Sequence, residues 1–260
     1  MKKKGIVVLL TLLIFFSAAI LGVSTVFRVD GVSVDASVFS ELAEEEAEQL
    51  QKRLYEVYGR DSTIFANDKE AKSVLKEFPY LRLIGFEKNY PNKIVVKVTE
   101  DEELYAVSAS EAGEDFYIIS ADGIVMEKRA SSNNRLDGEP LITVKGLAVT
   151  GTKGQKLNGG KQLETLLAFC ARMSEKLNGL RDNVVAIEVS AYSPEYCLTT
   201  REGVKIYVGS PMDLTKEKAD AAVEKYLDLS DNDRRKGSIA VVDKGGNVIA
   251  SYDPKGIQTE

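Results

Sequence analysis

Two short stretches carry residue types at a spacing that could support a reaction, and both fall short of it. Gly154-Gln155-Lys156-Leu157-Asn158-Gly159-Gly160-Lys161 has the glycines and lysine of a phosphate-binding loop. Counted back from Gly160-Lys161, the first glycine position holds Gln155, and Gln162 stands where Ser or Thr would ligate a metal. The stretch reads as a flexible turn before a helix. Ser73-Val74-Leu75-Lys76 matches the SxxK of penicillin-binding enzymes, but the companion SDN and KTG elements are absent. Asp101-Glu102-Glu103 and Asp231-Asn232-Asp233 are acidic turns with no partner for general acid–base work.

Composition narrows the chemistry further. The chain has no histidine, which removes Ser-His-Asp and Cys-His catalysis, HExxH zinc sites and most transition-metal sites. Cys170 and Cys197 are too few for a disulfide scaffold and do not form a CxxC pair. Cys170 falls on an apolar helical face and Cys197 in a strand, so two buried free thiols are expected rather than a bridge. The net charge is −6; this acidic balance gives no support for nucleic-acid binding. No cofactor, metal or small-molecule substrate is expected.

The elements that would position any site begin after an apolar run. Gly5 to Phe27 carries no charge, and as a helix it would reach roughly 34 Å, enough to cross a bilayer. Lys2, Lys3 and Lys4 precede it, so the N-terminus is expected in the cytoplasm and the bulk of the chain outside. A cleaved signal peptide is the competing reading, with Ser17-Ala18-Ala19 as its small-residue signal, but the apolar run exceeds the ~7–15 residues such a peptide needs. The expected division is residues 1–4 as a cytoplasmic tail, 5–26 as a transmembrane helix, 27–100 and 101–252 as two domains, and 253–260 as a C-terminal tail.

In the first domain, Phe27 to Val34 alternates as a short strand. Ala43, Ala47, Leu50, Leu54, Val57 and Tyr58 then share one face of a helix, and Glu41, Glu44, Glu45 and Glu46 read as its solvated side. A second helix starts at Asn67 with Ala71, Val74, Leu75 and Phe78 buried, and Pro79 stops it. Strands Leu81–Tyr90 and Ile94–Glu100 flank a turn at Pro91-Asn92. The order is β-α-α-β-β.

The second domain reads as mixed α/β with a mainly antiparallel sheet, giving an α+β fold class overall. Its strands are expected at Phe116–Ser120, Ile124–Lys128, Leu141–Val144, Val184–Val189, Tyr196–Thr200, Val204–Val208, Ile239–Val242 and Val248–Tyr252. One helix carries Leu163, Leu166, Leu167, Cys170, Met173 and Leu177 on one face, and another begins at Thr215.

Phe78-Pro79-Tyr80-Leu81, followed by Glu87-Lys88-Asn89-Tyr90-Pro91-Asn92-Lys93-Ile94-Val95-Val96-Lys97-Val98-Thr99-Glu100, resembles the POTRA domain of the FtsQ/DivIB cell-division family. Pro79, Tyr80, Tyr90, Pro91 and Asn92 carry the signature. The stretches FYIISADGIVMEKR, PLITVKGL and EGVKIYVGS and the closing hairpin are similar, in that order, to the family's β domain. The chain departs from it in lacking Trp and in having Val242-Asp243-Lys244 where the family commonly has Asp-Leu-Arg.

The resemblance implies a non-catalytic, single-pass membrane scaffold at the division septum. It implies partners of FtsB/DivIC and FtsL type, themselves single-span proteins, and a part in regulating septal peptidoglycan synthesis. A last strand leaves one row of backbone groups unpaired, and a partner segment can complete it. Val248, Ile249, Ala250, Ser251 and Tyr252, with Val242 and Asp243, are the candidates, and a proline at Ile249 is expected to abolish binding and spare the fold. The plainer reading is that these residues only close the sheet. Tyr80 and Tyr90 either contact a partner or pack the core, and packing is preferred beside a helix end and a turn. Two other classes stand beside the scaffold: a POTRA component of an export or assembly system, and a membrane-tethered cell-wall hydrolase using carboxylates.

Overall fold

In the computed structural model, residues 11–17, 22, 25–59, 61–109, 115–189, 195–210 and 213–256 are described. The chain divides into two units, Met1–Asp101 and Glu102–Glu260.

The transmembrane helix expected over residues 5–26 is not found. Among the described residues, no helix is long and apolar enough to cross a membrane. Hydropathy sums side chains and does not by itself set the length of a helix. Residues 1–10, 18–21, 23 and 24 lie outside the described residues. They include Lys2, Lys3, Lys4 and the Ala18-Ala19 part of the cleavage signal; residues 257–260 of the expected tail lie outside as well.

The first unit folds as β1 (Gly31–Ser37), α1 (Glu41–Tyr58), α2 (Asp68–Leu75), β2 (Leu81–Asn89) and β3 (Lys93–Glu100). The sheet order is β1-β3-β2, with β1 parallel and β2 antiparallel to β3. Alternation puts Ile94, Val96 and Val98 of the central strand against Leu50, Leu54 and Tyr58 of α1 in one core. Burial and charge set how α1 starts. Ser40 caps it by accepting from Ala43 N, and the Glu100 carboxylate accepts from Phe39 N, Ser40 N and Ser40 Oγ at 2.7, 3.0 and 2.6 Å. One carboxylate at the end of β3 therefore fixes the turn into α1.

Two expectations change in this unit. The first strand begins at Gly31 rather than Phe27, because Thr63 N donates to Phe27 O and Val29 N to Asp61 O, diverting residues 27–29 to the loop between the helices. Glu46 is not on the solvated face: it is buried and accepts from Tyr80 N at 3.1 Å. A backbone N–H buried without a partner would cost more than drawing one carboxylate inward.

The second unit is a nine-stranded sheet with order β12-β11-β10-β9-β8-β7-β4-β5-β6. Its strands are β4 (Tyr105–Ser108), β5 (Phe116–Ile119), β6 (Val125–Arg129), β7 (Ile142–Lys145), β8 (Val184–Val189), β9 (Tyr196–Thr200), β10 (Lys205–Gly209), β11 (Ser238–Lys244) and β12 (Asn247–Asp253). Helices α3 (Gly160–Leu177) and α4 (Lys216–Leu227) each connect strands that lie side by side and parallel, β7 to β8 and β10 to β11. Parallel neighbours need such a crossover, and most of the remaining pairs are antiparallel. Leu163, Leu166, Phe169, Cys170 and Met173 of α3 and Ala219, Ala222, Val223 and Tyr226 of α4 bury one face of the sheet.

Sequence periodicity gives no warning of β4 as a strand, because all four of its residues are buried and none alternates. Beside it, Glu103 is sealed off with its side chain 0% exposed, and Arg129 donates to it from Nη1 and Nη2 at 2.8 and 2.7 Å. Arg135 N also donates to Glu103 at 2.9 Å, so the acidic triplet supplies the anchor for the 130–139 loop.

Candidate functional site

The hairpin β11–β12 closes the sheet on one side. Its two-residue loop is Gly245-Gly246, with φ of 66° and 90°. Both lie in the left-handed region that a type I′ turn demands, and two glycines supply it without strain. Gly246 N also donates to the Asp243 side chain at 2.8 Å.

The register then assigns every backbone group. Lys244 pairs with Asn247, Val242 with Ile249, Ala240 with Ser251 and Ser238 with Asp253, with no bulge. A two-residue loop makes Lys244 and Asn247 a hydrogen-bonded pair, and such pairs alternate with non-bonded ones. Asn247, Ile249, Ser251 and Asp253 thus turn N–H and C=O toward β11. Val248, Ala250 and Tyr252 turn theirs outward. Among the described residues, the only non-ladder backbone bond recorded on this strand is Gly256 N to Asp253 O at its end.

Side chains alternate the other way. Val248, Ala250 and Tyr252 face the core under α4, whereas Ile249 and Val242 stand opposite each other on the other face, 45% and 42% exposed. The Tyr252 hydroxyl lies 3.1 Å from Asp233 O and 3.2 Å from Lys236 O, which fastens the strand to the 3-10 turn Asp233–Arg235. Loss of hydration and the nearby Asp233 carboxylate raise the Tyr252 phenol above its ordinary value. The acidic cluster at 231–233 is therefore a backbone anchor for β12.

The opposite edge differs. Val125 N donates to Gln155 O at 2.8 Å and Gly154 N to Val125 O at 2.7 Å, so the loop resembling a phosphate-binding motif covers the start of β6. The rest of β6 carries Glu127, Lys128 and Arg129, the charges that blunt an edge. β12 has no bulge, proline or lysine within it, and among the described residues no backbone covers it.

The signature residues of the first unit have structural placements. Pro79 and Tyr80 are buried, Tyr80 at 2% exposure. Asn92 donates to the Asp30 side chain and its carbonyl accepts from Asp30 N and Gly31 N, holding the start of β1. Pro91 follows a cis peptide bond and is exposed. Tyr90 alone presents its ring to solvent, 60% exposed, with an edge-to-face contact to Phe27 at 6.0 Å. These residues and the β12 candidates belong to separate units.

Among the described residues, reactive groups are not drawn together elsewhere. Ser73 and Lys76 are both exposed on and beside α2. Cys170 is buried and Cys197 partly buried, both as free thiols. Burial pushes the Cys170 thiol up to about 12. Among the described residues no group of His, Cys, Asp or Glu could hold a metal ion. A groove of about 270 Å³ beside α3 is lined by Gly123, Leu157, Leu163 and Leu167 with Asp122, Lys156 and Glu164; it is small for a ligand pocket.

No protein-family model matches the chain. Two curated proteins do match over part of it. The Cell division protein DivIB of Clostridium botulinum (strain Hall / ATCC 3502 / NCTC 13319 / Type A) is 30% identical over 93 residues, 36% of this chain and 34% of that protein. The Cell division protein DivIB of Clostridium botulinum (strain Loch Maree / Type A3) is 29% identical over 93 residues, with the same shares. The chain resembles DivIB. The match spans about a third of the length of these curated relatives, and it agrees with the FtsQ/DivIB resemblance read from the signature residues.

Proposed function

We propose that the protein is a cell-division protein of DivIB type that acts at the division septum by non-covalent contact and not by catalysis. In this reading the first unit is a POTRA domain, and the β-α-α-β-β order supports it. The second unit offers β12 as a pairing edge for an extended segment of an FtsB/DivIC- or FtsL-type divisome protein. Through that contact the protein helps regulate septal peptidoglycan synthesis.

The observation that carries this reading is the outward row of N–H and C=O groups on Val248, Ala250 and Tyr252, on a strand that lacks the usual protections among the described residues. Strand addition satisfies those groups and takes specificity from alternate side chains, here Ile249 beside Val242. The test is site-specific photocrosslinking from positions 248–252 in dividing cells that express the full chain. Capture of a small divisome protein, lost together with septation in the Ala250→Pro variant, is the expected result. Normal septation with that variant at wild-type protein levels would overturn the proposal.

A further inference from the structure

We propose that, when no partner occupies it, β12 pairs antiparallel with β12 of a second copy of this chain about a two-fold axis, and that partner binding competes with this self-pairing. The inference rests on the reading of β12 as an open pairing edge.

The register is self-complementary. Centred on Ala250, antiparallel pairing sets Ala250 against the second copy's Ala250, Val248 against its Tyr252 and Asn247 against its Asp253. Each of these outward-turned residues, Val248, Ala250 and Tyr252, meets another outward-turned residue, so all six backbone groups find partners. Parity also holds for side chains. Val248 and Tyr252 share the helix-covered face, and Ile249 and Ser251 share the other. No like charges stand opposite, and the exposed Val242–Ile249 pair gains cover beside the second copy's Ser251.

The rest of the sheet restricts the geometry to a closed pair. Head-to-tail growth would need β12 of one copy to add to β6 of the next, where backbone at 154–155 already holds Val125 and the charges of Glu127, Lys128 and Arg129 line the rest. An isologous contact, one edge against itself, is left, and it closes after two copies. Two paired strands of about 24 Å bury less than the ~1,200 Å² of a stable interface, so the pair is weak and yields to a better partner.

Cysteine crosslinking of the purified full chain tests this, because it reads the register and is insensitive to association through the apolar run at residues 5–27. Ala250→Cys places two Cα atoms about 5.5 Å apart across the axis, within reach of a disulfide. Oxidation at about 100 µM protein, where so small an interface should be populated, is expected to link Ala250→Cys at least tenfold more than wild type. Asn247→Cys and Asp253→Cys should each stay near that background alone and link when mixed. Equal linking at every position, no linking at Ala250→Cys with its circular dichroism unchanged, or ladders beyond the dimer would each overturn the proposal. If the dimer fails while photocrosslinking still captures a partner in cells, self-pairing falls alone. If both fail, the edge itself is not used.

Discussion

The direction of each backbone group on β12 makes proline a discriminating probe. From the sequence, Ile249 is the natural position for a proline that would spoil binding and spare the fold. The register reverses that choice. Ile249 sits in a hydrogen-bonded pair with Val242, so Ile249→Pro removes a bond of the hairpin itself. Ala250 directs its N–H outward, the one setting in which an edge strand tolerates proline. Three outward residues offer about six bonds to an added strand, each worth ~0.5–1.5 kcal/mol net. Ala250→Pro deletes one donor and puts its ring where the partner's carbonyl must lie, which misaligns a neighbouring bond as well. A loss of about 1–3 kcal/mol follows, or ~5- to 150-fold in Kd. Affinity of the two variants for an immobilised partner segment, with urea unfolding monitored in parallel, checks the assignment. Ala250→Pro should keep wild-type stability and lose binding, whereas Ile249→Pro should lose about 3 kcal/mol of stability. Should Ile249→Pro stay stable while Ala250→Pro unfolds, the alternation is opposite and the outward row is misassigned.

Three further outcomes test interactions that hold the second unit together. Arg129→Ala removes the charge paired with the sealed Glu103 carboxylate and should cost the second unit about 3–5 kcal/mol in a denaturant titration. Tyr252→Phe removes the hydroxyl held by Asp233 and Lys236 and should cost about 1 kcal/mol, with proteolysis at 253–256 accelerated. Cys170 has its folded-state thiol raised to about 12 from 9.0. Its contribution to stability is therefore complete below pH 9 and lost as pH rises toward 12. Thermal melts across that range should fall, and Cys170→Ala should flatten part of the decline.

Local patterns in the sequence determined much of the framework. The 3.6-residue periodicity of Ala43, Ala47, Leu50, Leu54 and Tyr58 and of Leu163, Leu166, Cys170 and Met173 marked α1 and α3, since burial of one stripe is encoded every three to four residues. The Gly245-Gly246 pair marked the last hairpin because only such residues enter its turn freely. What only the tertiary structure decided depends on partners distant in the chain. Glu46 and Glu103 look solvated in sequence and are buried, each because a remote group, Tyr80 N or Arg129, meets it there. An apolar run at 5–27 gave the composition of a span, yet among the described residues no helix is long and apolar enough to cross a membrane. Alternation at 247–253 fixed which side chains share a face, yet which backbone groups stay unpaired follows from strand order, with β12 outermost and the start of β6 under the 154–155 loop. Hydrogen-bonding capacity is identical at every non-proline residue, so only topology distinguishes an open edge from a filled one.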